Sequence, residues 1–126
     1  MNILLDTHVF IWLNTTPEQL SSRALAICES LDNELYLSMA SAWEMSIKAS
    51  LGKLTLPIPW DVMLKRQQQE NGLRIMDITV EHLTHTLPRH HGDPFDRLLL
   101  SQSVIEGMPL ISRDSQFTHY NVDIIW

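Results

Sequence analysis

With a single cysteine, Cys28, in 126 residues, the chain can form no intrachain disulfide and no cysteine-based metal site. Positive charge is also scarce. Nine Lys and Arg stand against fifteen Asp and Glu, a net charge of −6, which argues against a broad basic surface for nucleic acid. No apolar run reaches the roughly 20 residues of a membrane span. The opening Met1-Asn2-Ile3-Leu4-Leu5-Asp6 lacks the basic start and long apolar stretch of a secretory leader. The expected compartment is therefore the cytoplasm, with no membrane partner. The four glycines and six prolines are scattered, and no linker, repeat or low-complexity tract interrupts the chain. What remains is 44% hydrophobic and 19% charged, the composition of one ordinary domain with a core of its own.

Short apolar runs alternate with helical patterns. Residues 3–5, 35–38, 73–76, 109–112 and 122–126 read as strands. Between them the pattern predicts helices over 8–13, from Pro17 to about Leu31, over 40–51 up to Gly52, over 61–70, 80–87 and 94–106. In the second of these, Leu20, Ala24, Ile27 and Leu31 share one face. In the third, Trp43, Ile47 and Leu51 lie four apart and form the expected core stripe. Alternation of this kind predicts an α/β sandwich on a mostly parallel five-stranded sheet. Ligands of such sheets bind beyond the carboxyl ends of the strands. That edge is where Asp6 and Ser112-Arg113-Asp114 fall.

Four carboxylates, Asp6, Glu44, Asp96 and Asp114, converge on that edge. Each has a structural use by itself. Asp6 can cap the next helix, and Glu44 can pair with Lys48 four residues on. Asp93 and Asp96 can flank Pro94 as N-cap and N3, and Asp114 can hold a turn. Four acids in one cleft repel one another and call for a cation. Oxygen donors without thiolate point to Mg²⁺ or Mn²⁺. A dication held by carboxylates fits phosphodiester hydrolysis, since it activates water and relieves charge on the phosphoryl group. Asp6, Asp96 and Asp114 are the expected metal ligands. Glu44 binds metal or orients water, and the hydroxyls of Thr7 and Ser112 position water or a phosphate.

Four blocks of sequence resemble the PIN-domain ribonucleases of the VapC toxin type. They are Leu4-Leu5-Asp6-Thr7-His8, Ser41 to Lys48 with Gly52-Lys53-Leu54, Asp93-Pro94-Phe95-Asp96-Arg97-Leu98-Leu99-Leu100, and Ile111-Ser112-Arg113-Asp114-Ser115-Gln116-Phe117 with Tyr120. They occur in family order along nearly the whole chain. The resemblance implies a single PIN domain over 1–126 and a metal-dependent endoribonuclease acting on RNA. It also implies a partner antitoxin and a homodimer, and an acidic set of Asp6, Glu44, Asp96 and Asp114. Ser112 stands where the family often has Thr. Asp93 adds a fifth acid, and the helical run after Asp96 assigns the site role to Asp96.

Two rivals belong to other classes. A receiver-like, Mg²⁺-binding signalling module needs a Lys at the end of its last strand, and Val122 to Trp126 has none. A non-catalytic PIN-like binding protein has no need to keep all four acids. His82, His85, His90 and His91 make a zinc site conceivable. A partly exposed helix face and a polar loop account for them better. Arg89-His90-His91 is a candidate contact for RNA phosphate. Trp12, Trp43, Trp60 and Trp126 are expected in the core or at an interface.

Overall fold

The computed structural model describes residues 1–85, 87 and 92–126. Five strands form one parallel sheet: β1 (Asn2–Leu5), β2 (Glu34–Ser38), β3 (Arg74–Met76), β4 (Leu110–Ile111) and β5 (Ile124–Ile125), in the order β3-β2-β1-β4-β5. The helices are α1 (Thr7–Thr15), α2 (Ser22–Glu29), α3 (Met39–Ser50), α4 (Trp60–Asn71), α5 (Val80–Thr84) and α6 (Pro94–Glu106). Short 3₁₀ turns cover Pro17–Gln19 and Ser115–His119. No helix among the described residues is long and apolar enough to cross a membrane.

The strands alternate with the two-residue period of the pleat. Ile3, Leu5, Leu37, Ile111 and Ile125 face one way, into a core shared with Val9 and Phe10 of α1, Ala24 of α2, Met45 of α3 and Met63 of α4. Leu4, Met76 and Leu110 face the other way, onto Leu99 and Leu100 of α6 and onto Phe117 and Tyr120. Covering both faces is what an all-parallel sheet requires, and it explains the unbroken apolar run Ile3-Leu4-Leu5. Cutting any one of these buried leucines to Ala costs about 2–5 kcal/mol.

The sheet order decides one rivalry. Receiver-like proteins are wound 2-1-3-4-5. Here the winding reverses between β1 and β4, so the crevice at the carboxyl ends opens beside Asp6 and Ser112.

Three sequence expectations need correction. The helix expected from Pro17 to Leu31 is broken. A 3₁₀ turn precedes α2, whose start is capped by the Ser21 hydroxyl accepting from Ala24 N, and Leu31 lies beyond its end, fully exposed. The helix expected over 80–87 closes at Thr84. The stripe expected to be core on α3 faces outward at two of three positions, since Trp43 and Leu51 are about 60% exposed. The helix instead buries Ala40, Ala42 and Met45 together with the polar Ser41 and Glu44.

Candidate active site

Asp6 is the first residue beyond β1, and its N–H donates to the Ile111 carbonyl at 3.0 Å. It occupies the N-cap position of α1, yet its carboxylate makes no capping bond. Oδ2 instead accepts from Ser112 Oγ at 2.7 Å, and the same hydroxyl oxygen accepts from the Asp114 N–H at 3.1 Å. Ser112 thus ties together the ends of the two strands at the winding reversal. Burial pushes the Asp6 carboxyl above its ordinary range, and the Ser112 bond opposes that rise.

Glu44 reaches the same place from α3. The Ser38 hydroxyl accepts from Ala40 N at 3.0 Å, so the helix starts directly at the end of β2, and Glu44 falls on its second turn. Glu44 Oε1 lies 2.9 Å from Thr7 Oγ1, which is itself 2.8 Å from Ser41 Oγ. Thr7 has one proton, and the carboxylate is the stronger acceptor, so the proton goes to Glu44. Oε2 accepts from Lys48 Nζ at 2.7 Å. The i,i+4 pair anticipated on a solvated face therefore exists, but around a carboxylate only 5% exposed. The bond to Glu44 raises the Lys48 pKa.

Asp93 and Asp96 divide the work at α6. Asp93 Oδ1 accepts from Phe95 N at 2.9 Å and Asp96 N at 3.2 Å, a side-chain cap before Pro94. The Asp96 carboxyl is pushed up to about 7, first by burial and then by the charges of Asp93, Asp6, Glu44 and Asp114. Asp114 follows β4 and caps the turn Ser115–His119, its Oδ1 accepting from Gln116 N at 2.9 Å.

Asp6, Glu44, Asp93, Asp96 and Asp114 all line one open cleft of about 490 Å³. Thr7 and Ser112 are buried, each bonded to an acid. Their visible task is to hold Glu44 and Asp6, where the sequence suggested contact with water or phosphate. Among the described residues no group of three or more His, Cys, Asp and Glu stands ready to cage an ion. The donor set still fits a hard dication. Mg²⁺ is commonly held by one or two carboxylates, with waters and substrate phosphate filling its other positions, and an open acidic cleft allows that.

The sequence reading gave no site role to three further residues that line this cleft. His8, Trp12 and Arg113 line it as well. His8 and Trp12 are four apart on α1, and Arg113 adjoins Asp114, so spacing alone could have placed them. His82 also departs from expectation. It is 2% exposed, its ring closes a capping box with Thr79, and Nε2 lies 2.9 Å from Glu106 Oε1. It is a buried structural residue, where an exposed helix face was expected. Arg89, His90 and His91 lie outside the described residues.

The PIN domain family model matches residues 3–123. The chain belongs to the PIN-domain family. Over 115 residues this PIN domain is 33% identical to Ribonuclease VapC22 of Mycobacterium tuberculosis, covering 89% of this chain and 86% of the relative. Its fold is similar to VapBC2 from Rickettsia felis, solved bound to a DNA fragment from their promoter, with a TM-score of 0.71 at 13% identity over 99% of this chain and 98% of that one. It is also similar to FitAcB from Neisseria gonorrhoeae, with a TM-score of 0.64 at 18% identity over 100% and 97% of the two chains. The VapC type inferred from the four sequence blocks and the α/β sandwich agree with these relatives.

Proposed function

We propose that this PIN domain is a metal-dependent endoribonuclease and the toxin of a toxin–antitoxin pair. The observation that carries the reading is the meeting of Asp6, Glu44, Asp96 and Asp114, from four separate segments, around one cleft. The relative VapC22, named a ribonuclease, supports the reaction class. Mg²⁺ or Mn²⁺ bound there supplies an acidified water and charge relief for the phosphoryl oxygens. Asp6, Asp96 and Asp114 would hold the ion, in part through water. Ser112 fixes the Asp6 carboxylate. Thr7 and Lys48 each hold one oxygen of Glu44 and so fix its orientation, in which it would bind metal or orient water. Burial raises Asp6 and Asp96 toward protonation, and a bound dication would favour their charged forms. The substrate is single-stranded or looped RNA, whose bases are exposed for recognition.

A cognate antitoxin is the proposed partner, in keeping with the VapC type and the similarity to VapBC2, and a homodimer or a higher complex with the antitoxin is the proposed assembly. The test is cleavage of structured and unstructured RNA by the purified chain with Mg²⁺, with Mn²⁺ and with EDTA. Cleavage with either ion and none with EDTA is expected. Full cleavage in EDTA would overturn the metal-dependent mechanism, and no cleavage under any condition would overturn the reaction.

A further inference from the structure

The cleft described above is acidic, yet its proposed substrate is a polyanion. Two basic side chains with fixed positive charge, Lys48 and Arg113, line it. They are not equivalent. Lys48 is committed to Glu44 at 2.7 Å. The Arg113 guanidinium makes no hydrogen bond or ion pair among the described residues, although Asp114 is its neighbour in sequence. Its contact is with a ring. Arg113 Cζ lies 5.9 Å over the centroid of Trp12. Trp12 is in turn held from two sides, by His8 at 5.8 Å and by Trp126 at 6.3 Å between centroids. It also packs against the core under α1.

A guanidinium held near an indole ring by a cation–π contact keeps its N–H donors available for other partners. They form a planar fork suited to phosphate oxygens. The backbone fixes where the fork sits, because Arg113 follows Ser112, whose hydroxyl holds Asp6. From these positions we infer that Arg113, oriented by Trp12, binds an RNA phosphate beside the one being cleaved. It is a substrate-binding residue lining the same cleft as Glu44 and Lys48. Trp12 acts through it, as a positioning residue. The inference rests on the ribonuclease reading and assigns that site the contact by which an acidic cleft retains a polyanion.

The test uses the full chain and a single-stranded RNA that it cleaves. Arg113→Ala is expected to raise KM about tenfold while kcat stays within about threefold, as for a lost charge-assisted contact made equally in ground and transition states. Binding of the same RNA, followed by fluorescence anisotropy in an Asp96→Asn background, should show a salt slope shallower by about 0.7 when Arg113 is also changed to Ala. Arg113→Lys should restore the slope with only part of the affinity. Trp12→Phe should lie between wild type and Arg113→Ala in KM, and it keeps a ring for the core where Trp12→Ala could disturb folding. Unchanged KM and slope in Arg113→Ala, while the wild type cleaves and binds RNA, overturn the inference and leave the ribonuclease reading intact. Absence of RNA cleavage and binding in the wild type overturns both. An Arg113→Ala chain with weaker antitoxin binding but unaltered RNA binding assigns the side chain to the protein partner, which also overturns the inference.

Discussion

The hydroxyl of Ser112 donates to Asp6 Oδ2 at 2.7 Å across 106 residues of chain. Both groups are buried, and the bond offsets part of the cost of burying the Asp6 charge. Ser112→Ala should therefore push the Asp6 carboxyl further upward. RNA cleavage is expected to fall about tenfold at pH 7, for the loss of about 1.5 kcal/mol in a hydrogen bond to a charged group. The acidic limb of the rate profile should move to higher pH. Ser112→Thr keeps the hydroxyl and should keep both the rate and the limb. An Ala variant with an unshifted limb would show that the bond does not tune Asp6.

Asp93 and Asp96 are three residues apart on one turn, and their substitutions should separate. Asp93 accepts from two backbone N–H groups. Asn is a comparable cap, so Asp93→Asn should stay folded and keep most activity, whereas Asp93→Ala should cost about 1 kcal/mol. Asp96→Asn should abolish cleavage with the fold intact. Circular dichroism beside the RNA assay checks the ranking, and the reverse order would exchange the two roles.

A pH dependence follows from Asp96. Its carboxyl sits at about 7 in the folded chain against an ordinary 3.8. The folded state then binds more protons than the unfolded state across that window. Without metal, this group's contribution to stability is largest below 3.8 and declines as pH rises toward 7. Asp96 is partly exposed, so solvent screening limits the effect to about 1–2 kcal/mol. Urea unfolding in EDTA should show Asp96→Asn more stable than wild type by that amount at pH 8, and the difference should narrow by pH 5. Equal stabilities at both pH values would show that Asp96 carries no such strain.

Cys28 provides a check away from the cleft. Burial, with the nearby Glu29 charge, pushes its thiol up to about 11. The nucleophile is the thiolate, which is then well under 1% of the population at pH 8. Folded protein should react with a thiol reagent more than tenfold more slowly than urea-unfolded protein at that pH. Comparable rates would contradict the packing of α2.

The acids were legible in the sequence because two are fixed by strand ends and two by helix starts, and those boundaries carry strong local signals. Asp6 follows an apolar run, and Asp93-Pro94 announces a helix. The exposed side of α3 was not legible. Trp43, Ile47 and Leu51 have the spacing of a buried stripe, and hydrophobic spacing cannot tell a core from a groove. Trp43 in fact meets Phe95 edge-on at 5.5 Å, joining α3 to α6 outside the core. Arg113 was passed over because an exposed arginine next to an aspartate reads as an ordinary turn. Its cation–π contact with Trp12 links residues about 100 positions apart, which no local pattern reveals.

The pairing of β1 with β4 also bears on when the protein can act. Leu4 and Leu5 lie against Leu110 and Ile111, so the central strand lacks one neighbour until those residues have been made. Contacts of such long range form late and make folding slow. A nascent chain that stops short of Ser112 has neither the hydroxyl that holds Asp6 nor the turn that carries Asp114. Its cleft is therefore incomplete. Assembly of the site thus depends on pairing between segments more than 100 residues apart, Leu4-Leu5 with Leu110-Ile111.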